Sequence, residues 1–314
     1  MKIVLLESLA ISEDMLNQYA NALRQAGHIF EAYERNMNPD VQIARAKDAD
    51  VIMIANMPLK GEVIRACKNL KYINIAFTGV DHVDLAACRE CGVQVSNASG
   101  YSNRSVAELA LCMMLTLLRS VPQVDARCRA GGTKDGLVGC ELHGKTVGIV
   151  GLGAIGQTTA ALCHAFGCRV VAYNPRPKEA PSYIEQLPLD EVLAQSDIVT
   201  LHCPLNDTTR GMIGADELAK MKSSAFLINT ARGPVVDSAA LADALNRGAI
   251  AGAGIDVFEA EPPLEPSHPL LHAKNTVVTP HVAFATKESM LLRAEIVFDT
   301  LHAWLNGKRK NVIL

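Results

Sequence analysis

Three glycines with a fixed spacing constrain the fold of this chain more than any other feature. Gly151, Gly153 and Gly156 form the pattern G-x-G-x-x-G between the predicted strand Thr146 to Val150 and the predicted helix Ala154 to Phe166. Between strand and helix, the first glycine permits a tight turn, the second lets a pyrophosphate approach the backbone, and the third allows close packing. The amides that begin such a helix face the anion. The motif predicts a parallel α/β sheet that binds a dinucleotide.

The second half of the chain alternates apolar runs with helical patterns. Six runs predict strands: Thr146 to Val150, Arg169 to Tyr173, Ile198 to His202, Phe226 to Asn229, Gly254 to Val257 and Val277 to Thr279. Six strands joined by helical crossovers form a doubly wound parallel sheet of the Rossmann type.

The first hundred residues repeat this rhythm on a smaller scale. Four runs predict strands there: Ile3 to Leu6, Val51 to Ala55, Tyr72 to Ala76 and Val93 to Ser96. The amphipathic stretch Glu13 to Ala26 predicts a helix, with Ser12 as its N-cap and Gly27 closing it. The pattern predicts a second, flavodoxin-like α/β domain.

A chain of 314 residues exceeds the usual size of one domain. The apolar helix predicted from Ser102 to Arg119 marks the change of domain, and the last predicted helix, Lys287 to Asn306, is free to return to the first domain. We therefore predict a discontinuous substrate domain, residues 1–98 and 286–314, and a dinucleotide-binding domain, residues 99–285.

Composition narrows the classes of partner. A formal net charge of −3 gives no general attraction for nucleic acid or anionic lipid, so neither is expected as a partner. The longest apolar run, Leu109 to Leu118, is too short to span a bilayer. Nine cysteines without a paired framework indicate reduced thiols and a cytoplasmic location, and the lone C-x-x-C, Cys88 and Cys91, is interpreted as structural, so no metal is expected.

The residue that usually selects between NAD and NADP lies at the end of the second strand of such a sheet. Here that residue is Asn174, which lacks the negative charge that repels a 2′-phosphate, and Arg176 and Lys178 follow it. The cofactor is therefore NAD or NADP, with NADP at least tolerated, unless the two cations are merely solvated. Ala154 and Ile155, at the start of the helix, are further predicted cofactor contacts.

Three polar residues stand at or just past the ends of predicted strands in the second half of the chain. Arg232, Glu261 and His281 each follow one such strand. The carboxyl ends of parallel strands open onto the ligand crevice, so these side chains are candidates for one site.

The motifs around these residues resemble the D-isomer-specific 2-hydroxyacid dehydrogenase family, and the resemblance runs over nearly the whole chain. The motifs are F-T-G-V-D-H-V-D (Phe77 to Asp84), V-A-E-L-A (Val106 to Ala110), G-L-G-A-I-G (Gly151 to Gly156), L-H-C-P-L (Leu201 to Leu205), N-T-A-R-G (Asn229 to Gly233), E-P-P-L (Glu261 to Leu264) and T-P-H-V-A-F (Thr279 to Phe284). The resemblance implies hydride transfer between a nicotinamide cofactor and a small anionic 2-hydroxy or 2-oxo acid.

By this resemblance His281 is the acid and base, and Glu261 binds its other ring nitrogen and favours the charged imidazolium. Arg232 offers a planar fork of donors for the carboxylate and carbonyl oxygens of the substrate. The remaining residues implied by the resemblance are, for the substrate, Thr78, Gly79, Tyr101 and Phe284, and, for the cofactor, His202, Pro204, Thr230, Ala231 and Asp256.

Some alternatives stay open at this point. A dinucleotide-sensing corepressor of the same fold would keep the arginine, glutamate and histidine. Formate dehydrogenases of the superfamily carry glutamine where this chain has Glu261, which argues against that activity. The substrate is open. Phe77 replaces the small residue of many relatives, and Phe284 with Thr286 resembles a segment of members acting on D-lactate-like or bulkier acids. Asn174 with Arg176 instead resembles glyoxylate and hydroxypyruvate reductases. The apolar helix Ser102 to Arg119 predicts a homodimer that buries it.

Overall fold

The computed structural model describes all 314 residues and divides into two compact units. The first unit comprises Met1–Ser102 and Ala285–Leu314, and the second comprises Asn103–Phe284. The predicted division placed these boundaries after residue 98 and after residue 285. Each unit contains one parallel sheet with helices, so the chain is of the α/β class, as predicted.

The first unit contains a five-stranded sheet of order β2-β1-β3-β4-β5, in which every pair is parallel. This is the flavodoxin-like order. Its elements are β1 (Lys2–Leu5), α1 (Glu13–Gln25), β2 (Ile29–Ala32), α2 (Pro39–Ala46), β3 (Val51–Ile54), α3 (Gly61–Ala66), β4 (Tyr72–Ile75), α4 (Leu85–Cys91), β5 (Gln94–Asn97) and, from the end of the chain, α11 (Lys287–Leu305).

Local sequence explains the helix boundaries and the return of the C-terminal helix. The Ser12 hydroxyl accepts a hydrogen bond from the Met15 amide at 3.3 Å, which caps α1, and Gly27 follows the helix at φ +83°. Helix α11 packs on the sheet of the first unit, where the rings of Tyr72 and Trp304 stack with centroids 4.6 Å apart. Apolar burial thus makes this unit discontinuous in sequence.

The second unit contains a seven-stranded parallel sheet of order β12-β11-β10-β9-β6-β7-β8. Counted from its own first strand, the order is that of the Rossmann fold with one strand added. Its elements are α5 (Asn103–Leu118), α6 (Val121–Arg129), β6 (Thr146–Val150), α7 (Ala154–Ala165), β7 (Arg169–Tyr173), β8 (Ile184–Gln186), α8 (Leu189–Gln195), β9 (Ile198–Leu201), α9 (Ala215–Lys220), β10 (Phe226–Asn229), α10 (Ser238–Arg247), β11 (Gly252–Ile255), β12 (Thr276–Val278) and short 3₁₀ turns at Gly233–Val235 and Pro269–Leu271.

The prediction of six strands in this sheet was wrong by one, because it missed β8 at the edge. That strand has three residues, of which only Ile184 is buried, so it carries almost no apolar signal. The run predicted at Gly254 to Val257 is shifted to Gly252–Ile255. A Cβ on Gly254 would lie 2.9 Å from the Cβ of Met113, so the glycine lets α5 pack closely on this strand. The shift leaves Asp256 just beyond the strand.

Much of the apolar surface of helix α5 is buried against other elements of its own unit. Eight of its residues are buried, namely Ser105, Val106, Ala107, Ala110, Met113, Met114, Leu117 and Leu118, and the last five of these belong to a core cluster with strand residues of the second unit. No single helix of the chain is long and apolar enough to cross a membrane, and only the pair α5 and α6, bent by 58°, meets that test of length and composition.

Candidate active site

The carboxyl ends of the strands in the second unit carry the predicted residues of that unit. In the sheet, β12, β11, β10, β9, β6 and β7 are consecutive neighbours and all run in one direction. Residues just past their ends therefore lie along one edge. These residues are the glycine turn after β6, Asn174 after β7, His202 after β9, Thr230 to Arg232 after β10, Asp256 after β11 and His281 after β12.

The three glycines of the turn differ in whether the fold itself excludes a side chain at their position. Gly151 adopts φ +102°, and a Cβ there would lie 2.8 Å from the carbonyl oxygen of His202. A Cβ on Gly156 would collide with the carbonyl oxygen of Gly151. Gly153 is different, because it has an extended backbone and a Cβ built on it meets no atom within 4 Å. Packing of the chain itself therefore requires the first and third glycines but not the second.

The open space beside Gly153 fits a ligand that must approach the backbone closely. Gly153 is the N-cap of α7 and has no side chain to bond the first amides of the helix. Ala154 and Ile155 are the first two residues of α7, and helix amides at these positions have no partner within the helix. The residues present thus fit the pyrophosphate of a dinucleotide.

Asn174 ties two turns together at this edge. Its Oδ1 accepts a hydrogen bond from the Leu152 amide at 3.2 Å, and its Nδ2 donates to the Arg176 carbonyl at 2.6 Å. The side chains of Arg176 and Lys178 are exposed to solvent. Asn174 therefore joins the glycine turn to the turn after β7, and the latter turn carries the two exposed cations.

Two buried polar atoms beyond β9 and β10 have no partner in the chain. The Nε2 of His202 lies 3.1 Å from the Thr200 hydroxyl, while its Nδ1 is buried and unbonded. The Thr230 hydroxyl is buried and unbonded as well. Burial lowers the pKa of His202 to about 3, so this ring is neutral and presents one donor or acceptor. Unsatisfied buried polar atoms indicate a missing partner, and a bound nucleotide would fit.

Arg232 lies in a turn that is held by the side chain of Asn229 and by close packing at Gly233. Asn229 binds this turn at both ends, because its Oδ1 accepts from the Ala231 amide at 3.0 Å and its Nδ2 donates to the Arg232 carbonyl at 3.0 Å. A Cβ on Gly233 would collide with the backbone of Phe258. The Arg232 guanidinium donates to the Ala231 carbonyl at 2.7 Å. Pro204, in the turn after β9, is exposed.

His281 and Glu261 form a direct pair. The Nδ1 of His281 lies 2.8 Å and 3.0 Å from the two carboxylate oxygens of Glu261. A carboxylate accepts, so Nδ1 carries the proton and Nε2 is the atom that can exchange a proton with a ligand. The ring of Phe284 meets the His281 ring edge to face, with centroids 5.2 Å apart. The imidazole of His281 is thus held in orientation by the Glu261 carboxylate and by the ring of Phe284.

The predicted residues of the first unit follow β4 and β5. The Thr78 carbonyl accepts a hydrogen bond from Asn97 at 2.6 Å, and its hydroxyl lies 3.5 Å from that of Ser102. Gly79 is the next residue in this loop. Tyr101 is buried, and its ring lies beneath the guanidinium carbon of Arg293 at 5.8 Å. Thr78, Gly79 and Tyr101 therefore lie at the carboxyl ends of neighbouring strands of their own sheet.

The sequence did not single out two residues at the carboxyl edge of the sheet in the second unit, Asn229 and Thr279. Both are polar residues at or just past the end of an apolar strand, which is the signal that could have identified them. Asn229 holds the turn of Arg232, and Thr279 donates to Asp256 at 2.5 Å.

Comparisons with known proteins identify a family and several proteins to which this chain is similar. The family profile described as D-isomer specific 2-hydroxyacid dehydrogenase, NAD binding domain, matches residues 111–283. A glycerate dehydrogenase of Methylorubrum extorquens is 38% identical over 295 residues, or 91% of this chain and 92% of that protein. A hydroxypyruvate reductase of Blautia hydrogenotrophica is 35% identical over 327 residues, or 100% of this chain and 99% of that protein. A solved structure, an acyclic imino acid reductase (Bsp5) in complex with NADPH and D-Arg, has a TM-score of 0.92 at 29% identity and covers 100% of both chains.

A Rossmann sheet whose glycine turn and histidine–glutamate pair share one edge is the framework of a nicotinamide-dependent oxidoreductase. The matches are more specific: the chain belongs to the D-isomer specific 2-hydroxyacid dehydrogenase family, as the motifs predicted. It transfers a hydride between a nicotinamide dinucleotide and a small 2-hydroxy or 2-oxo acid. Both forms of the cofactor occur among its relatives, since the profile names NAD and the imino acid reductase holds NADPH.

The glycine turn gives a test of nucleotide binding that is separate from folding. We predict that Gly153→Ala leaves the thermal midpoint unchanged and weakens binding of NADH and NADPH by roughly tenfold or more, because only a ligand occupies the space of the new methyl group. Fluorescence titration and thermal unfolding measure the two effects. Gly214→Ala is the matched control, since Gly214 is also an extended N-cap glycine but begins α9. Unaltered affinity in Gly153→Ala would show that the pyrophosphate binds elsewhere.

Proposed function

We propose that this enzyme interconverts small 2-oxo acids and D-2-hydroxy acids, with His281 as the acid and base, Glu261 as its partner and Arg232 as the substrate-binding cation. The observation that carries this proposal is the pair between Nδ1 of His281 and both oxygens of the Glu261 carboxylate, at 2.8 Å and 3.0 Å. The pair leaves Nε2 as the proton-exchanging atom, on the same edge as the glycine turn.

The chemistry of ketone reduction assigns each residue a task. A bound reduced nicotinamide supplies the hydride. In the imidazolium form, His281 donates a proton from Nε2 to the developing alkoxide, while Glu261 holds the positive ring through Nδ1. In oxidation, the neutral Nε2 accepts the hydroxyl proton instead. Arg232 binds the carboxylate and polarises the carbonyl with parallel N–H donors.

The substrate is a small acid whose carboxylate is bound by the amides of Thr78 and Gly79, with Tyr101 and Phe284 as further contacts. The Asn97 side chain fixes the carbonyl of Thr78, which supports a preformed backbone loop. Glycerate and hydroxypyruvate, the substrates in the names of two relatives, are compounds of this class.

The nucleotide is bound by the glycine turn with Ala154 and Ile155, and by His202, Pro204, Thr230 and Ala231 beyond β9 and β10. NADP is accepted as well as NAD, since the turn after β7 presents Arg176 and Lys178 and no carboxylate at Asn174. The nine free cysteines suit a reducing cytoplasm.

The enzyme is a homodimer formed through α5, α6 and the loop that follows. Part of the apolar excess of α5 is buried within its own unit, so this proposal rests on the remaining surface. Helix α6 has no buried residue, and Val121, Val124 and Val138 are 49%, 36% and 81% exposed. Exposed apolar side chains on this segment are the surface that the proposed interface would cover.

A matrix of small 2-oxo acids against NADH and NADPH tests the proposed function. We predict turnover that His281→Ala lowers by roughly 10² to 10⁴ without loss of cofactor binding, because proton transfer is removed. Glu261→Gln should lower turnover less, since it keeps an acceptor but loses the charge. His268→Ala is the control, because His268 pairs with Glu259 at 3.0 Å in the same loop region. Tight cofactor binding without any turnover in the wild type would instead favour a dinucleotide sensor.

Cofactor preference is tested at the turn after β7. We predict that Arg176→Ala lowers kcat/KM for NADPH by about tenfold relative to NADH, because an exposed cation near the ribose favours a 2′-phosphate. Initial rates with both cofactors give the ratio. Arg169→Ala, at the opposite end of β7, removes an exposed arginine from the same strand and serves as control. An unchanged ratio would remove Arg176 from cofactor selection.

The dimer proposal predicts a sedimentation mass of twice the 33.7 kDa chain. Val124→Glu should shift the equilibrium toward monomer, because it places a charge in the proposed interface. Met37→Glu, at a 55% exposed position of the first unit, is the control. A wild type that sediments as a monomer at micromolar concentration would contradict the proposal.

A further inference from the structure

Asp256 is a fully buried carboxylate beside the turn that carries His281. It is the first residue beyond β11, and its relative exposure is 0%. A buried carboxylate is costly unless hydrogen bonds satisfy its oxygens. The donors that surround Asp256 therefore indicate its purpose.

All three hydrogen bonds to the carboxylate come from one short segment. Oδ1 accepts from the Thr279 hydroxyl at 2.5 Å and from the Val282 amide at 2.9 Å, and Oδ2 accepts from the Ala283 amide at 2.9 Å. The backbone carbonyl of Asp256 also accepts from the His281 amide at 2.7 Å. One residue thus binds the chain both before and after His281.

This segment has an unusual backbone at the histidine itself. His281 adopts φ +55°, in the left-handed region that side chains with a Cβ rarely occupy. Such a conformation persists only where surrounding contacts impose it. In the left-handed turn the amides of Val282 and Ala283 point together at the carboxylate, while the imidazole bonds Glu261. The contacts of Asp256 hold the backbone on both sides of His281 and so favour this turn.

We propose that Asp256 is a positioning residue for proton transfer: it clamps Thr279, Val282 and Ala283 and thereby holds His281 in the left-handed turn that presents its imidazole to Glu261. The resemblance to the family assigned Asp256 to the cofactor, whereas this role acts through His281. The inference rests on the proposed function of His281. The proposal implies that a change at Asp256 lowers turnover only when His281 is present.

Asp256→Asn is the direct test. The amide retains one acceptor, so in either orientation its NH₂ group faces a backbone N–H of Val282 or Ala283. We predict that kcat falls by about 10²-fold, as a displaced acid–base group does, while the dissociation constant for NADH stays unchanged. Single-turnover and fluorescence measurements give the two values. A weakened dissociation constant with a normal kcat would overturn the proposal in favour of direct nucleotide contact.

The double variant separates positioning from general damage. In the His281→Ala background, Asp256→Asn should cause no further loss of turnover, because the side chain that it positions is absent. An equal loss in both backgrounds would overturn the proposal. Asp237→Asn is the matched control, since Asp237 also accepts from two amides, those of Ala239 and Ala240 at 3.0 Å each, at the start of α10. It should lower stability without changing kcat.

A milder variant covers the case in which Asp256→Asn does not fold. Thr279→Val removes one of the three bonds to the carboxylate and keeps the shape of the side chain, so kcat should fall by a smaller factor that also disappears in His281→Ala. A wild-type kcat in Thr279→Val would then overturn the inference. Normal turnover in His281→Ala alone would refute the proposed function first, and the inference with it.

Discussion

The site depends on one constraint, the parallel order of neighbouring strands in the second unit. Because β12, β11, β10, β9 and β6 lie side by side and point the same way, their following residues share one edge. Residues far apart in sequence, such as Gly151 and His281, are thereby placed on that edge. An antiparallel sheet built from the same strands would distribute these residues over both edges.

Within this edge, buried polar side chains do the local positioning. Asn229 binds the turn of Arg232 and Asp256 binds the turn of His281, each from the end of its own strand. Both turns are therefore attached to the rigid sheet rather than to the exposed loops beyond it. An unusual backbone such as that of His281 costs about 1–3 kcal/mol, which such networks offset.

The sequence allowed the fold class, the glycine turn and the catalytic candidates to be predicted, because each has a local pattern. The long apolar runs of central strands and the spacing of Gly151, Gly153 and Gly156 are examples. Edge strands β2 and β8 were both missed, because each is so exposed that it has only one buried residue. Strand β11 was misplaced because Gly252 and Gly254 fit close packing rather than a β pattern. The contacts of Asp256 join residues more than twenty positions apart, which no local pattern encodes.

Asn174 combines two structural contacts with the absence of a negative charge. Its Oδ1 accepts from the glycine turn and its Nδ2 donates to the Arg176 carbonyl, so the side chain links the glycine turn to the turn that carries Arg176. An aspartate there would keep the first bond but oppose the carbonyl with a second oxygen. Its charge would repel a 2′-phosphate while the lost bond released the turn that carries Arg176. The geometry of the turn and its charge would therefore change together when this one residue is replaced.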